Sequence, residues 1–145
     1  MKVLVDTPVW SLALRKKDKT KREKQIIEHL SGLIRDLHLV MVGPVRQEIL
    51  SGIADSRRFE DLRSKISIFA DFEIKTSDFE LAARFYNECR KNGVQGSHID
   101  FLLCAVASNN DFSIFTLDGD FTSYQKYIGI RLEQYELEED GGRSG

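Results

Sequence analysis

Apolar positions recur along this chain in two periods, and the switching between them predicts a succession of short strands and longer helices. The chain opens on a compact apolar run, Val3-Leu4-Val5, that stops at Asp6 and passes into Thr7-Pro8. That order reads as strand, acid, helix: Thr7 suits an N-cap and Pro8 the first helical position, where a missing N–H leaves nothing unpaired. The helix is expected from about Pro8 to Leu14. Ile26, Ile27, Leu30, Leu33, Ile34 and Leu37 then recur at helical spacing, and Leu39 to Val42 forms a second apolar strand. Gly43-Pro44 breaks that strand and opens a helix with Val45, Ile49, Gly52 and Ile53 on one face.

Further along, Phe59, Leu62, Ile66 and Phe69 mark another amphipathic helix, and Phe72 to Ile74 a short half-buried strand. Ser77-Asp78-Phe79-Glu80 is a capping box that begins a helix ending at Gly93. His98 to Ala107 is apolar on nearly every side, as a buried central helix must be. Phe112 to Thr116 and Ile128 to Leu132 complete the expected strands.

Length and composition narrow the class. A chain of 145 residues fits one domain, expected over 1–132, and buries enough surface to fold without staples. The remainder, 133–145, is acidic and then Gly-rich, the composition of a flexible tail. Hydrophobic content of 41% and charged content of 30% are ordinary for a soluble protein. No apolar run reaches membrane-spanning length, and the opening strand turns polar too soon for a signal peptide. Cys89 and Cys104 form no CxxC pair and His29, His38 and His98 no HExxH pattern, so zinc is disfavoured and reduced thiols point to the cytoplasm. Net charge is −2, which excludes a globally basic nucleic-acid binder and leaves room for local basic patches. One such patch runs from Arg15 to Lys24. Arg15, Lys16, Lys17, Lys19 and Lys21 form either a solvated loop and helix start or a footprint for a phosphate backbone.

The candidate chemistry lies in acids placed beside strand ends. Asp6 stands at the carboxyl end of the first strand, where the turns of open α/β sheets form a ligand crevice. Glu48 falls at the edge of the apolar face of its helix and overhangs the same crevice. Asp100 opens the central helix, where it also stands as N3 partner to a Ser97 cap. Asp118 and Asp120 follow the strand that ends at Thr116, and Asp118 is also a ready N-cap. Two ionised carboxylates about 5 Å apart repel by roughly 3 kcal/mol at an effective dielectric near 20, so such a cluster calls for a neutralising cation. Hard oxygen donors suit Mg²⁺, which activates water and offsets charge in phosphoryl transfer. No GxSxG, P-loop or GxGxxG pattern offers another chemistry.

Taken together, strand-Asp6-Thr7-x-x-Trp10, Glu48 on a helix after the second strand and a proline, Asp100 opening an apolar helix, and Thr116-x-Asp118-x-Asp120-Phe121 resemble the PIN-domain ribonucleases, above all the VapC-type toxins of toxin–antitoxin pairs. The resemblance covers about Lys2 to Leu132. It implies an α/β fold with a mainly parallel central sheet flanked by helices, and Asp6, Glu48, Asp100 and Asp118 or Asp120 around Mg²⁺ or Mn²⁺. Thr7 and Thr116 match the family's hydroxyl positions. The implied activity is metal-dependent endoribonuclease, with RNA as substrate. The implied partners are a small antitoxin that offers a basic side chain to the acids, and a second copy of the chain in a homodimer. One departure is the loop before Asp100, which has Lys91 and then Asn92-Gly93-Val94-Gln95-Gly96 where the family often has an Arg. Two other readings compete: a catalytically silent PIN-like binding module, and a dehalogenase-like phosphatase. The phosphatase needs a second Asp two residues after the first, where this chain has Pro8.

Overall fold

The computed structural model describes residues 1–135; the remainder of the expected tail lies outside the described residues. Four strands, β1 (Val3–Val5), β2 (Leu39–Val40), β3 (Ser113–Phe115) and β4 (Arg131–Leu132), form one sheet in the order β2-β1-β3-β4, and every pairing is parallel. Among the described residues seven helices connect and cover it: α1 (Thr7–Leu14), α2 (Lys21–Arg35), α3 (Gly43–Leu50), α4 (Ser56–Ile66), α5 (Thr76–Lys91), α6 (His98–Asn110) and α7 (Asp120–Gln125). β1 and β3 are buried at every position, as strands covered by helices on both faces must be. Leu4, Val5, Ile114 and Phe115 from these strands meet Phe101, Leu103, Phe121 and Tyr124 in one core.

The chain leaves β1 for β2 on one side and later returns to β3 on the other. The switch point of the sheet therefore lies between β1 and β3, where the outgoing turns diverge and leave a crevice. Val5 pairs with Phe115, and the Asp6 N–H continues the ladder to the Phe115 carbonyl at 2.9 Å. Asp6 and Thr116 are thus side by side at the carboxyl ends of the two central strands.

Several helix boundaries differ from the expected ones. Asp6, not Thr7, is the N-cap of α1, its carboxylate accepting the Thr7 N–H at 2.9 Å, so Pro8 moves one position into the first turn, where its missing N–H is still harmless. α3 stops at Leu50, and Gly52 follows with a φ of +86°, so Gly52 and Ile53 lie beyond the helix. α5 starts at Thr76, and its N3 residue Asp78 accepts the Lys75 N–H at 2.9 Å and Asn109 Nδ2 at 2.8 Å, displacing the box expected at Ser77 and Glu80.

The strand expected over Phe72 to Ile74 is absent among the described residues, and a single parallel bridge joins Met41 to Asp71. Arg46 occupies the carbonyls of Ile66 and Phe69 and the carboxylate of Asp71, so a guanidinium ties down the approach to this segment instead of a ladder. At the other end the packed fold extends past Leu132. Glu133 accepts the Ser113 hydroxyl at 2.8 Å and pairs with His29 at 3.0 Å, and the Tyr135 ring packs on His29 and Phe115. No helix among the described residues is long and apolar enough to cross a membrane.

Candidate active site

Three helix starts meet at the mouth of the sheet. Asp6 caps α1, Asp100 lies in the first turn of α6, and Asp118 and Asp120 stand at the entrance to α7. Helix N-termini carry partial positive charge and unpaired N–H groups, so this is where the fold tolerates several carboxylates. Capping and site formation are therefore one arrangement here.

Asp6 is only 5% exposed, with both carboxylate oxygens engaged: Thr7 N–H donates to Oδ1 and the Thr116 hydroxyl to Oδ2 at 2.8 Å. Thr116 Oγ1 in turn accepts the Asp118 N–H at 3.0 Å, and Asp118 Oδ1 accepts the Asp120 N–H at 2.9 Å. This chain of bonds fixes the Asp118 backbone relative to Asp6. Asp118 is half-buried and Asp120 exposed. Burial pushes the Asp6 carboxyl up to about 6 against the pull of its two hydrogen bonds, and Asp100 and Glu48 push it the same way. Asp100 is likewise raised, first by burial and then by Asp118 and Asp120, while Tyr124 and Ser97 oppose the shift by hydrogen bonding. Glu48 stays at the exposed rim, where the Thr7 hydroxyl donates to it at 3.3 Å. Asp6 thus feels the charge of Asp100 and Glu48, and Asp100 that of Asp118 and Asp120, with Thr7 and Thr116 hydrogen-bonded among them.

Sequence reasoning missed Tyr124 and Gly96. Tyr124 is fully buried and donates its hydroxyl to Asp100 Oδ2 at 2.7 Å. Burial and the neighbouring acids raise its phenol, so it remains a donor at neutral pH. Gly96 makes room for it, since a Cβ there would overlap the Tyr124 ring and hydroxyl and the Phe101 ring. The basic run is less unified than it reads. Arg15 pairs with Glu23 at 3.0 Å, Lys19 turns back on the carbonyls of Arg15 and Lys17, and Lys16, Lys17 and Lys21 are exposed. Thr20 and Glu23 form a capping box that starts α2 within the run.

The donor set fits a hard divalent cation: carboxylates and hydroxyls only, with burial and like charge acting against full ionisation in the metal-free protein. Among the described residues no three His, Cys, Asp or Glu side chains converge closely enough to enclose an ion by themselves. Mg²⁺ is commonly held through one or two carboxylates and keeps several waters, so it does not require such a cage.

Fold and site together define a parallel α/β domain with a carboxylate-lined crevice at its switch point. The PIN domain family model matches residues 3–127, and the chain belongs to the PIN domain family, whose members are nucleases that generally use divalent metal ions. In fold it is similar to FitAcB from Neisseria gonorrhoeae, with a TM-score of 0.74 and 15% identity over 91% of this chain and 96% of that one. VapBC2 from Rickettsia felis, bound to a DNA fragment from its promoter, gives 0.73 and 16% over 94% of this chain and 100% of that one. DNA-bound VapBC from Salmonella typhimurium gives 0.68 and 14% over 92% and 97%. The comparison with curated protein sequences gives no match.

Proposed function

We propose that this chain is an Mg²⁺- or Mn²⁺-dependent endoribonuclease and the toxin of a toxin–antitoxin pair. The observation that carries the nuclease reading is Asp6, buried at the switch point with its carboxyl pushed up to about 6 by burial and by Asp100 and Glu48. A divalent cation at these acids would relieve that charge, activate water and offset negative charge on the phosphoryl group. The chain's own residues hold the arrangement. Thr116 orients Asp6 and anchors Asp118, Tyr124 orients Asp100, and Thr7 steadies Glu48 at the rim. Asp6, Asp100 and Asp118 are assigned to the metal, Glu48 to its outer side, and Asp120 to the start of α7.

The likeness of fold to FitAcB and the VapBC assemblies supports the toxin assignment, and with it a small antitoxin partner, a homodimer and a cytoplasmic setting. An open crevice rimmed by acids suits an antitoxin that inserts a cationic side chain. The absence of a ready three-ligand cluster among the described residues favours a second reading, a catalytically silent PIN-like module. Incubation with defined tRNAs and rRNA in Mg²⁺, Mn²⁺ or EDTA, beside calorimetric titration with the metal, separates the two. The nuclease cleaves only with the ion and loses cleavage on Asp6→Asn; the silent module neither binds the ion nor cuts.

A further inference from the structure

Two clefts meet at Arg15. One, of about 410 Å³, lies between α1 and α2, with aliphatic walls from Pro8, Leu12, Ile26 and Leu117 and with Arg15 and Arg22 at its rim. The other, of about 360 Å³, lies between the end of α1 and α4, where Arg15 and Lys16 face Arg58 and Lys65 across Leu14 and Leu62. Each has the volume of a small-ligand site, enough for a nucleotide. Leu117 and Arg22 also border the cleft that holds Thr116 and Asp118, so the first of the two adjoins the side of the site where Asp118 stands.

We propose that the two clefts form one track for the RNA strand beside the scissile bond, with Arg58 and Lys65 of α4 as distal phosphate anchors and Arg22 as the proximal one. The proposal rests on the nuclease reading above. In a chain with a net charge of −2, the track gathers Arg15, Lys16, Arg22, Arg58 and Lys65 against only Glu23 and Asp61. Lys16, Arg22, Arg58 and Lys65 make no ion pair among the described residues, so their charges are not offset by a paired acid. Arg58, Asp61, Leu62 and Lys65 share one face of α4 at helical spacing, so both cations reach into the same cleft. Aliphatic walls between cations match a single strand: phosphates meet the charges and bases lie against the apolar surface. An acidic protein segment would find the same cations, but not the continuity with a crevice that acts on phosphodiesters.

The test uses the full chain and a single-stranded RNA that the wild type cleaves, with binding measured at several salt concentrations and cleavage at saturating RNA. Arg58→Gln with Lys65→Gln should weaken binding about tenfold and flatten the salt slope by about 1.4, two phosphates at about 0.7 each, with the saturated rate kept. Arg57→Gln with Arg84→Gln, the same loss of two positive charges at exposed positions outside both clefts, should leave the slope nearly unchanged. Equal effects from the two would mean general electrostatics and overturn the track. Unchanged RNA binding in the double variant, with altered binding only of a poly-glutamate peptide, would assign the clefts to an acidic protein and also overturn it. A wild type that cleaves no RNA fails the nuclease reading itself, a result distinct from either.

Discussion

The buried Tyr124 hydroxyl donates to Asp100 Oδ2 at 2.7 Å, and Gly96 leaves the space in which it does so. A hydrogen bond to a carboxylate contributes about 1.5–3 kcal/mol and favours its charged form. Tyr124→Phe should therefore leave Asp100 protonated to higher pH, weaken Mg²⁺ binding about tenfold, and move the acid limb of the pH–rate profile upward. Gly96→Ala should do the same and cost stability as well, because Tyr124 and Phe101 must both shift. Calorimetric metal titration and the pH profile read this directly. An unmoved profile in Tyr124→Phe would reduce the tyrosine to core filling.

Asp6 makes the metal-free protein pH-sensitive in a defined direction. Its carboxyl stands near 3.8 when unfolded and about 6 when folded, so its neutral form is the one folding favours. Stability from this group is complete below about 3.8 and is lost as pH rises through about 6, a span worth roughly 3 kcal/mol. Thermal melts in EDTA should thus show wild type losing stability between about pH 4 and 6.5 relative to Asp6→Asn, with the difference constant above that. Added Mg²⁺ should restore wild type above pH 6 and leave the variant unmoved. Parallel melting curves for the two proteins across that range would contradict the assignment.

Thr116 and Thr7 look alike in sequence as hydroxyls beside acids, but their settings differ. Thr116 both donates to buried Asp6 and accepts from Asp118, so Thr116→Val strands an acceptor and a donor at once and should cost about 1–3 kcal/mol along with most of the activity. Thr7 reaches Glu48 at the exposed rim over 3.3 Å. Thr7→Val should change stability little and affect mainly KM. Denaturant titration beside kinetics measures both effects.

These cases show what was legible in the sequence. Most of the order of strands and helices follows from local periodicity and cap chemistry, as do the places of Asp6 after β1, of Asp100 in the first turn of α6 and of Asp118 after β3. Tyr124 was not, because it looks like an ordinary core aromatic of α7, and only the packing of α7 against the start of α6 turns its hydroxyl toward Asp100. Phe72 to Ile74 has a strand-like pattern, yet its pairing stops at one bridge beside Met41, and the hold of Arg46 on Ile66, Phe69 and Asp71 just before it is a tertiary contact that no local pattern shows. Lys19 likewise reads as a free cation and proves tied to backbone carbonyls.

Asp118 and Asp120 stand in different settings, and each carries its own expectation. Asp118 is half-buried and tied through Thr116 to Asp6; it is not the N-cap expected from sequence, since Gly119 takes that position, and from one residue earlier its carboxylate accepts the Asp120 N–H. An Asn side-chain oxygen can accept the same N–H, so Asp118→Asn should keep stability and lose rate, whereas Asp118→Ala should lose the same rate and, with that bond gone, about 1 kcal/mol besides. Asp120 is exposed in the first helical turn, where its charge favours the dipole by up to about 1 kcal/mol. Asp120→Asn should therefore lower the melting temperature slightly and leave most of the rate. Measuring cleavage and melting for all three variants decides the matter, since a large loss of rate in Asp120→Asn with Asp118→Asn still active would exchange the roles of the two acids.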